Sequence, residues 1–237
     1  NTLQGFFARG LDKPDDPLFS HLIRWDNTSK TKTFFSDQLR AEIGGYDGYD
    51  EVRQSLPAAY GGWDYLAKAQ FLEISVFLSN YLLSSQGDRV AMAHSVEIRL
   101  PYLDFRILEF MARVPSKWKI RGLDEKHILK KSFEGTLPAD ITGRAKHPYR
   151  APIKQALMNR EKTDYVRDFL SESSLKKAGL FDFSKVARLV KKLEATKDPS
   201  EVNGMALVGI LSAQLVHHHS SRTSLRPLLA LQSLASL

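Results

Sequence analysis

Residues 88–104, DRVAMAHSVEIRLPYLD, mix charged and apolar side chains without the period of a helix or of a strand. Burying an unpaired charge is costly, so each of these charges must be paired, solvated or bound to a ligand. In an extended segment Glu97 and Arg99 share one face, while Asp104 can cap a following helix and accept from a guanidinium. Two interpretations stay open: a structural ion-pair network, and a ligand pocket contacted by Arg89 and Glu97.

A second group of basic side chains lies in the loop GRAKHPYRAPI, residues 143–153. Its members are Arg144, Lys146, His147 and Arg150, on a backbone stiffened by Pro148 and Pro152. A lysine on such a loop loses less conformational entropy on binding than a lysine on a flexible loop. The loop is therefore a candidate phosphate site, with a solvated basic surface as the alternative.

Three lysines, Lys126, Lys130 and Lys131, belong to a predicted helix that begins after Asp124. Such lysines are typical of a solvent-exposed face. Lys126 would lie in the first turn, where a cation opposes the helix dipole. A nearby anion would explain that position, so Lys126 is a candidate ligand-binding residue.

Several kinds of site are not indicated by the sequence. His217, His218 and His219 are consecutive, so on a helix their side chains point in different directions, and we expect no metal site there. The chain has no Walker P-loop, no G-x-G-x-x-G after a strand, no G-x-S-x-G and no H-E-x-x-H. It also has no cysteine, which excludes disulfides and thiolate chemistry and fits a reducing cytoplasm.

The net charge of +7 is concentrated in one region. Residues 113–160 contain 12 Lys or Arg against four Asp or Glu, a local charge of +8, which leaves −1 for the remainder. Such a patch attracts phosphate in a nucleotide, in pyrophosphate or in nucleic acid. Nucleic acid is the least favoured, because the patch lacks stacked aromatic side chains and a groove-reading helix.

The segments that must position these groups have mainly helical periodicity, and none has a convincing strand period. Residues 64–84 predict a buried central helix. The apolar run at residues 205–216 predicts a core helix, because it is much shorter than the roughly 20 residues of a membrane span. We therefore expect a mainly α protein without a membrane segment.

Three polar residues, Asp104, Asp124 and Ser184, are predicted to cap helices because each precedes an apolar-periodic segment. The first two helices would each place three apolar side chains inward: Ile107, Leu108 and Met111, then Ile128, Leu129 and Phe133.

Three motifs in order carry a family resemblance: LSSQGDRVAMAHSVEIRLPYLDFRILEF, KIRGLDEKHILKKSF and LPADITGRAKHPYRAPI. Together they resemble the C-terminal half of the synthetase domain of glutamine-dependent asparagine synthetases and their amidotransferase relatives. The resemblance implies the helical C-terminal portion of an α/β adenine-nucleotide α-hydrolase-like (PP-loop) synthetase domain. On this basis residues 1–219 form that segment, and residues 220–237 form a terminal helix or tail.

Enzymes of this family adenylate a carboxylate with Mg-ATP and release pyrophosphate; ammonia from a glutaminase domain then displaces AMP to give an amide. The resemblance implies the same chemistry for the intact protein. Lys146 matches the catalytic lysine that faces the β- and γ-phosphates, where a fixed positive charge stabilises departing pyrophosphate. Glu97, Arg99 and Asp104 match the E-x-R-x-P-[FY]-L-D segment that shapes the synthetase site. With Arg89 and Lys126, Glu97 and Arg99 are the expected substrate- or nucleotide-binding residues.

Other parts of the family pattern are missing from this sequence. It lacks the glutaminase cysteine, the SGGxDS pyrophosphate loop and the SGEGADE-like loop. We therefore expect ATP and Mg²⁺ to be bound mainly by segments outside this chain, and the chain alone to be inactive.

The expected partners are the remaining synthetase and glutaminase segments, in the same protein or another chain, and a small-molecule or peptide carboxylate. Residue 1 is Asn rather than Met, which favours a fragment or split subunit of a longer protein. The resemblance implies that this protein is a cytoplasmic ligase. A degenerate relative that serves as a noncatalytic helical scaffold or binding subunit is the alternative.

Overall fold

The structure, a computed structural model, describes residues 11, 13–146, 151–158, 164–197 and 200–222. Most of these residues are helical, which confirms the predicted mainly α class. The backbone divides into two compact units. The first unit comprises Asn1–Ile23 and Tyr49–Tyr149, and the second unit comprises Arg24–Gly48 and Arg150–Leu237.

The helices and strands of the described residues follow in chain order. The α-helices before the hairpin are α1 Phe19–Ser29, α2 Asp37–Ile43, α3 Gly48–Gln54, α4 Tyr65–Leu72, α5 Arg89–Ala93, α6 Phe105–Arg113 and α7 Ser116–Lys119. The hairpin consists of β1 Ile120–Arg121 and β2 Asp124–Glu125. It is followed by α8 His127–Ser132, α9 Ala139–Thr142, α10 Ile153–Leu157, α11 Asp164–Phe169, α12 Glu172–Ala178, α13 Phe183–Ala195 and α14 Glu201–Arg222. Short 3₁₀ helices lie at Lys30–Phe34, Ala58–Gly62 and Pro101–Leu103, and a π-helix spans Glu73–Asp88.

The helix predicted for residues 64–84 begins where expected but changes its winding. The Asp64 carboxylate caps α4 by accepting from the Ala67 N–H at 2.8 Å, and the chain continues as the π-helix from Glu73. A π-helix has more residues per turn than an α-helix, so apolar residues at α-helical spacing no longer lie on one stripe. The predicted burial is borne out only at the end of α4, where Leu72 is fully buried; no residue of the π-helix is buried, and Ile74 is half exposed.

The cap predicted at Asp104 is confirmed, because its carboxylate accepts from the Arg106 N–H at 2.9 Å at the start of α6. The predicted inner face of α6 is wrong for two of its three residues, whereas Met111 is half-buried. Ile107 is 42% and Leu108 44% exposed. The helix therefore presents an uncovered apolar face.

The cap predicted at Asp124 is wrong because a hairpin precedes α8. Asp124 pairs with Arg121 across the antiparallel strands, and Gly122 takes the left-handed conformation of the connecting turn, with φ +60°. Lys126 occupies the N-cap position with φ 58° and makes no capping hydrogen bond. Lys126 therefore lies just before the helix rather than in its first turn, and Phe133, predicted to face inward, is exposed.

The second unit has a continuous apolar core at the meeting of α12, α13 and α14. Its buried members are Leu175, Phe181, Val186, Leu189, Leu193, Ala206, Leu207 and Ile210. The predicted core helix at residues 205–216 is thereby confirmed as part of α14. That helix continues to Arg222, and residues 223–237 of the predicted terminal helix or tail lie outside the described residues.

The N-cap of α13 is Asp182, whose carboxylate accepts from the Lys185 N–H at 2.9 Å, so the predicted cap at Ser184 is wrong. The backbone just before this cap is bonded to a distant segment. Asp182 N–H donates to Phe34 O at 2.9 Å, and Ser36 N–H donates to Leu180 O at 3.0 Å. These bonds hold residues 34–36 against the start of α13.

Candidate functional site

A cleft of about 860 Å³ lies in the first unit, between the hairpin, α8 and the segment after α9. Its lining residues are Tyr102, Leu123, Glu125, Lys126, Leu129, Lys130, Phe133, Leu137, Ile141, Thr142, Gly143, Arg144, Ala145 and Lys146. Apolar side chains thus form much of its wall. Four cations and one carboxylate supply the charged groups.

Lys146 reaches this cleft from the irregular segment that follows α9. Its amine lies 3.4 Å from Oε2 of Glu125, and the Lys146 side chain is 66% exposed. An exposed ion pair of this length contributes little to stability and is easily replaced. The Lys146 amine is therefore available to an anion in the cleft.

Lys130 is held at the same cleft by Asp124. One carboxylate oxygen of Asp124 accepts from the Lys130 amine at 2.5 Å, and the other accepts from Nδ1 of His127 at 2.8 Å. The bond from Lys130, followed by that from His127, lowers the pKa of Asp124 below its ordinary value of 3.8. His127 is buried and stacks on Trp118 with ring centroids 6.1 Å apart. Lys130 is thus oriented by a carboxylate whose other oxygen is anchored to a buried ring.

Sequence reasoning treated Asp124 as a helix cap and missed this arrangement. The three residues are close in the sequence, but Asp124 lies in β2 and not in the helix that carries His127 and Lys130. The hairpin places Asp124 close enough to both partners for its side chain to bridge them.

The other predicted site residues have different surroundings. Lys126 and Arg144 line the cleft, whereas Arg89, Glu97 and Arg99 do not. Arg89 is exposed at the start of α5. Glu97 and Arg99 form an ion pair with each other at 2.7 Å, and both side chains are largely exposed. The ligand-binding roles of these three residues stay predictions.

The ion-pair network expected upstream of α6 involves a different arginine. Asp104 accepts from the Arg106 guanidinium at 2.6 and 2.9 Å. These side-chain bonds, with the cap bond from the Arg106 N–H, lower the pKa of Asp104. His147, Pro148 and Arg150 of the predicted basic loop lie outside the described residues.

The donor set of the cleft fits phosphate groups better than a metal ion. Lysine and arginine donors match phosphate oxygens. Within the described ranges, no group of three or more His, Cys, Asp or Glu side chains could hold a metal ion. His218, from the predicted triple-histidine segment, packs edge-on against Phe169 with ring centroids 5.1 Å apart. None of the helices described is long and apolar enough to cross a membrane.

Comparison with known proteins gives a consistent family assignment. The asparagine synthase family model matches residues 9–218. The chain is 26% identical over 162 residues to a putative glutamine-hydrolyzing asparagine synthetase of Mycobacterium tuberculosis, covering 67% of this chain and 24% of the relative. It is 36% identical over 104 residues to glutamine-hydrolyzing asparagine synthetase 3 of Bacillus subtilis, covering 43% and 17%.

A protein with another printed name is also similar. Amidase chry2 of Gibberella zeae is 30% identical over 118 residues, covering 47% of this chain and 17% of the relative. No solved structure matches the chain significantly. The chain spans about a quarter or less of the length of these curated relatives. Because the family model matches most of its residues, the chain belongs to the asparagine synthase family.

Proposed function

We propose that this chain is part of an ATP-dependent amidotransferase that adenylates a carboxylate and converts it into an amide with glutamine-derived ammonia. Family membership supports a glutamine-dependent amidotransferase. The observation that carries the finer proposal is the Lys146 amine at the edge of a cleft shared with Lys126, Lys130 and Arg144. The chain supplies this cationic wall of the synthetase site.

Lys146 acts on the leaving group. Adenylation transfers the AMP moiety to the carboxylate oxygen and breaks the bond to the β-phosphate, so negative charge develops on departing pyrophosphate. A fixed cation at that position stabilises this charge more in the transition state than in the bound substrate. The exposed bond to Glu125, at 3.4 Å, is replaced by the phosphate.

Lys126, Lys130 and Arg144 bind the rest of the polyphosphate. Asp124 limits the motion of Lys130, so less entropy is lost when Lys130 binds phosphate. Magnesium bound with the nucleotide would supply further charge neutralisation. The main metal and nucleotide ligands come from segments outside this chain.

The uncovered apolar face of the first unit supports a role for further synthetase segments. Large apolar residues of 92–110 are exposed: Met92, Val96, Ile98, Leu100, Tyr102, Phe105, Ile107, Leu108 and Phe110. Exposed apolar side chains in this number support an interaction surface here. Other synthetase segments of the same protein or another chain cover this face, and the assembled enzyme is cytoplasmic.

A second candidate function is a noncatalytic scaffold or binding subunit. The observation in its favour is that Arg89, Glu97 and Arg99, which were expected to bind ligand, lie outside the cleft. In that case the cleft binds no nucleotide in the assembled protein.

Turnover by the complete protein that carries this chain tests the proposal. The protein is incubated with ATP, glutamine and a panel of acceptors: aspartate, other small acids and peptide carboxylates. We expect one pyrophosphate and one AMP for each amide formed, and none from the 237-residue chain alone. A complete protein that neither binds ATP nor releases pyrophosphate would support the scaffold instead.

A further inference from the structure

The second unit contains a pocket of about 470 Å³ that is rich in positive charge. Lys185, Arg188 and Lys192 of α13 line it at helical spacing, so they lie on one face of that helix. The fourth cation is Arg40 of α2. No carboxylate is among the described residues that line this pocket.

Arg40 is held rigidly by the backbone of the preceding 3₁₀ helix. Its Nη2 donates to Lys32 O at 2.9 Å and Thr33 O at 3.1 Å, and its Nε donates to Phe35 O at 3.3 Å. Carbonyl oxygens orient the guanidinium without neutralising its charge. In the described part of the chain Nη1 has no partner, so its donors are available to a ligand.

The cations of α13 are also incompletely neutralised. Lys185 lies 3.8 Å from Asp182, a long and weak pair. Arg188 and Lys192 make no ion pair with any residue that the structure describes, and both are exposed. Four cations around one pocket create a positive potential that attracts an anion.

The floor of the pocket is apolar. Leu189, from the unit's core, is 4% exposed, and the Phe34 side chain is half-buried. Thr33 and Asn203 add a hydroxyl and an amide to the lining. The volume lies within the range of roughly 300–1,000 Å³ typical of small-molecule sites.

We propose that this pocket binds a small phosphate monoester with an apolar or aromatic body. Arginine donors bind phosphate oxygens in a bidentate manner, and a monoester carries about −1.5 to −2 charge near neutral pH. Arg188, Lys192 and Nη1 of Arg40 bind the phosphate, while Phe34 and Leu189 contact the body. This site is separate from the cleft at Lys146 and does not depend on the proposed function.

Calorimetric titration of the complete protein with phenyl phosphate and with inorganic phosphate tests this site. We expect phenyl phosphate to bind more tightly than inorganic phosphate, because only phenyl phosphate contacts the apolar floor. Each charge-assisted hydrogen bond contributes to the binding free energy. The double variant Arg188→Ala, Lys192→Ala should therefore weaken phenyl phosphate binding about tenfold or more. Arg188→Glu, Lys192→Glu should abolish it.

A control variant keeps the result specific. Lys191→Ala removes an exposed lysine of α13 that does not line the pocket. It should not change phenyl phosphate affinity by more than about twofold. Equal affinity for the two phosphates, or unchanged binding by the double alanine variant with its helical content intact, would overturn the proposal.

Discussion

The two units place apolar and charged side chains in opposite ways. In the second unit, apolar residues of α12, α13 and α14 form a buried core, while cations around Arg188 lack carboxylate partners among the lining residues. In the first unit, Lys130 and Lys146 at the cleft are paired with Asp124 and Glu125, while an apolar face of α6 is exposed. The second unit therefore buries its apolar side chains in its own core, whereas the first unit leaves an apolar face exposed.

Matched leucine substitutions should give the largest difference in stability between the two units. Leu207→Ala removes a fully buried side chain from the second unit and should lower the free energy of unfolding by about 2–5 kcal/mol. Leu108→Ala, on the exposed face of α6, should change it by no more than about 0.5 kcal/mol. Urea titration followed by circular dichroism measures both. Equal losses would show that α6 is already packed in the isolated chain.

Helix caps should give a smaller effect. Asp182→Ala removes the carboxylate that accepts from the Lys185 N–H and should cost about 1 kcal/mol of stability. Ser184→Ala, at the position that the sequence favoured, should be nearly neutral because Ser184 is exposed within the helix. The same urea titration compares them, and a greater loss for Ser184→Ala would contradict the observed cap.

The smallest effects concern the ion pairs of the first unit. Lys130→Met should raise the pKa of Asp124 toward 3.8, because the bond from Lys130 is the largest cause of its lowering. Lys131→Met is the matched control: it should leave Asp124 unchanged and raise the pKa of Glu134, its own partner. Carboxyl titration by NMR distinguishes the two variants, and identical titration of Asp124 in both would contradict the pairing.

The sign of the pH dependence follows from the lowered pKa of Asp124. Stability from this group is fully present above its ordinary pKa of 3.8 and is lost as the pH falls through the lower folded-state value. Wild type and Lys130→Met should therefore differ in stability near neutral pH and converge in strong acid. A difference that persists below both pKa values would point to packing rather than charge.

Local signals in the sequence predicted part of this structure. Asp104 caps α6 because its short carboxylate reaches the N–H two residues on, a contact that needs no tertiary structure. The core helix at 205–216 followed from its apolar composition. The predicted cap at Asp124 is wrong because the turn at Gly122 places Asp124 in strand β2. The burial predicted for residues 64–84 is wrong from Glu73 onward, where the α-helix becomes a π-helix.

The candidate sites were predictable to different degrees. Lys126, Lys130, Arg144 and Lys146 come from one basic region, so charge counting indicated the first cleft. The pocket at Arg188 joins α13 to residues near Arg40, far away in the sequence. Backbone bonds such as Asp182 N–H to Phe34 O create that proximity, and no local pattern encodes them.

The central claim is that Lys146 stabilises departing pyrophosphate, and its most direct test is pyrophosphate release by the complete protein carrying Lys146→Met. We expect the rate to fall about 100-fold or more, as when a preorganised transition-state donor is removed, with the fold unchanged because the side chain is exposed. Lys131→Met, which changes an exposed lysine outside the cleft, should stay within about twofold of wild type, a difference of about 0.4 kcal/mol in activation free energy. Unchanged turnover by Lys146→Met would contradict the account.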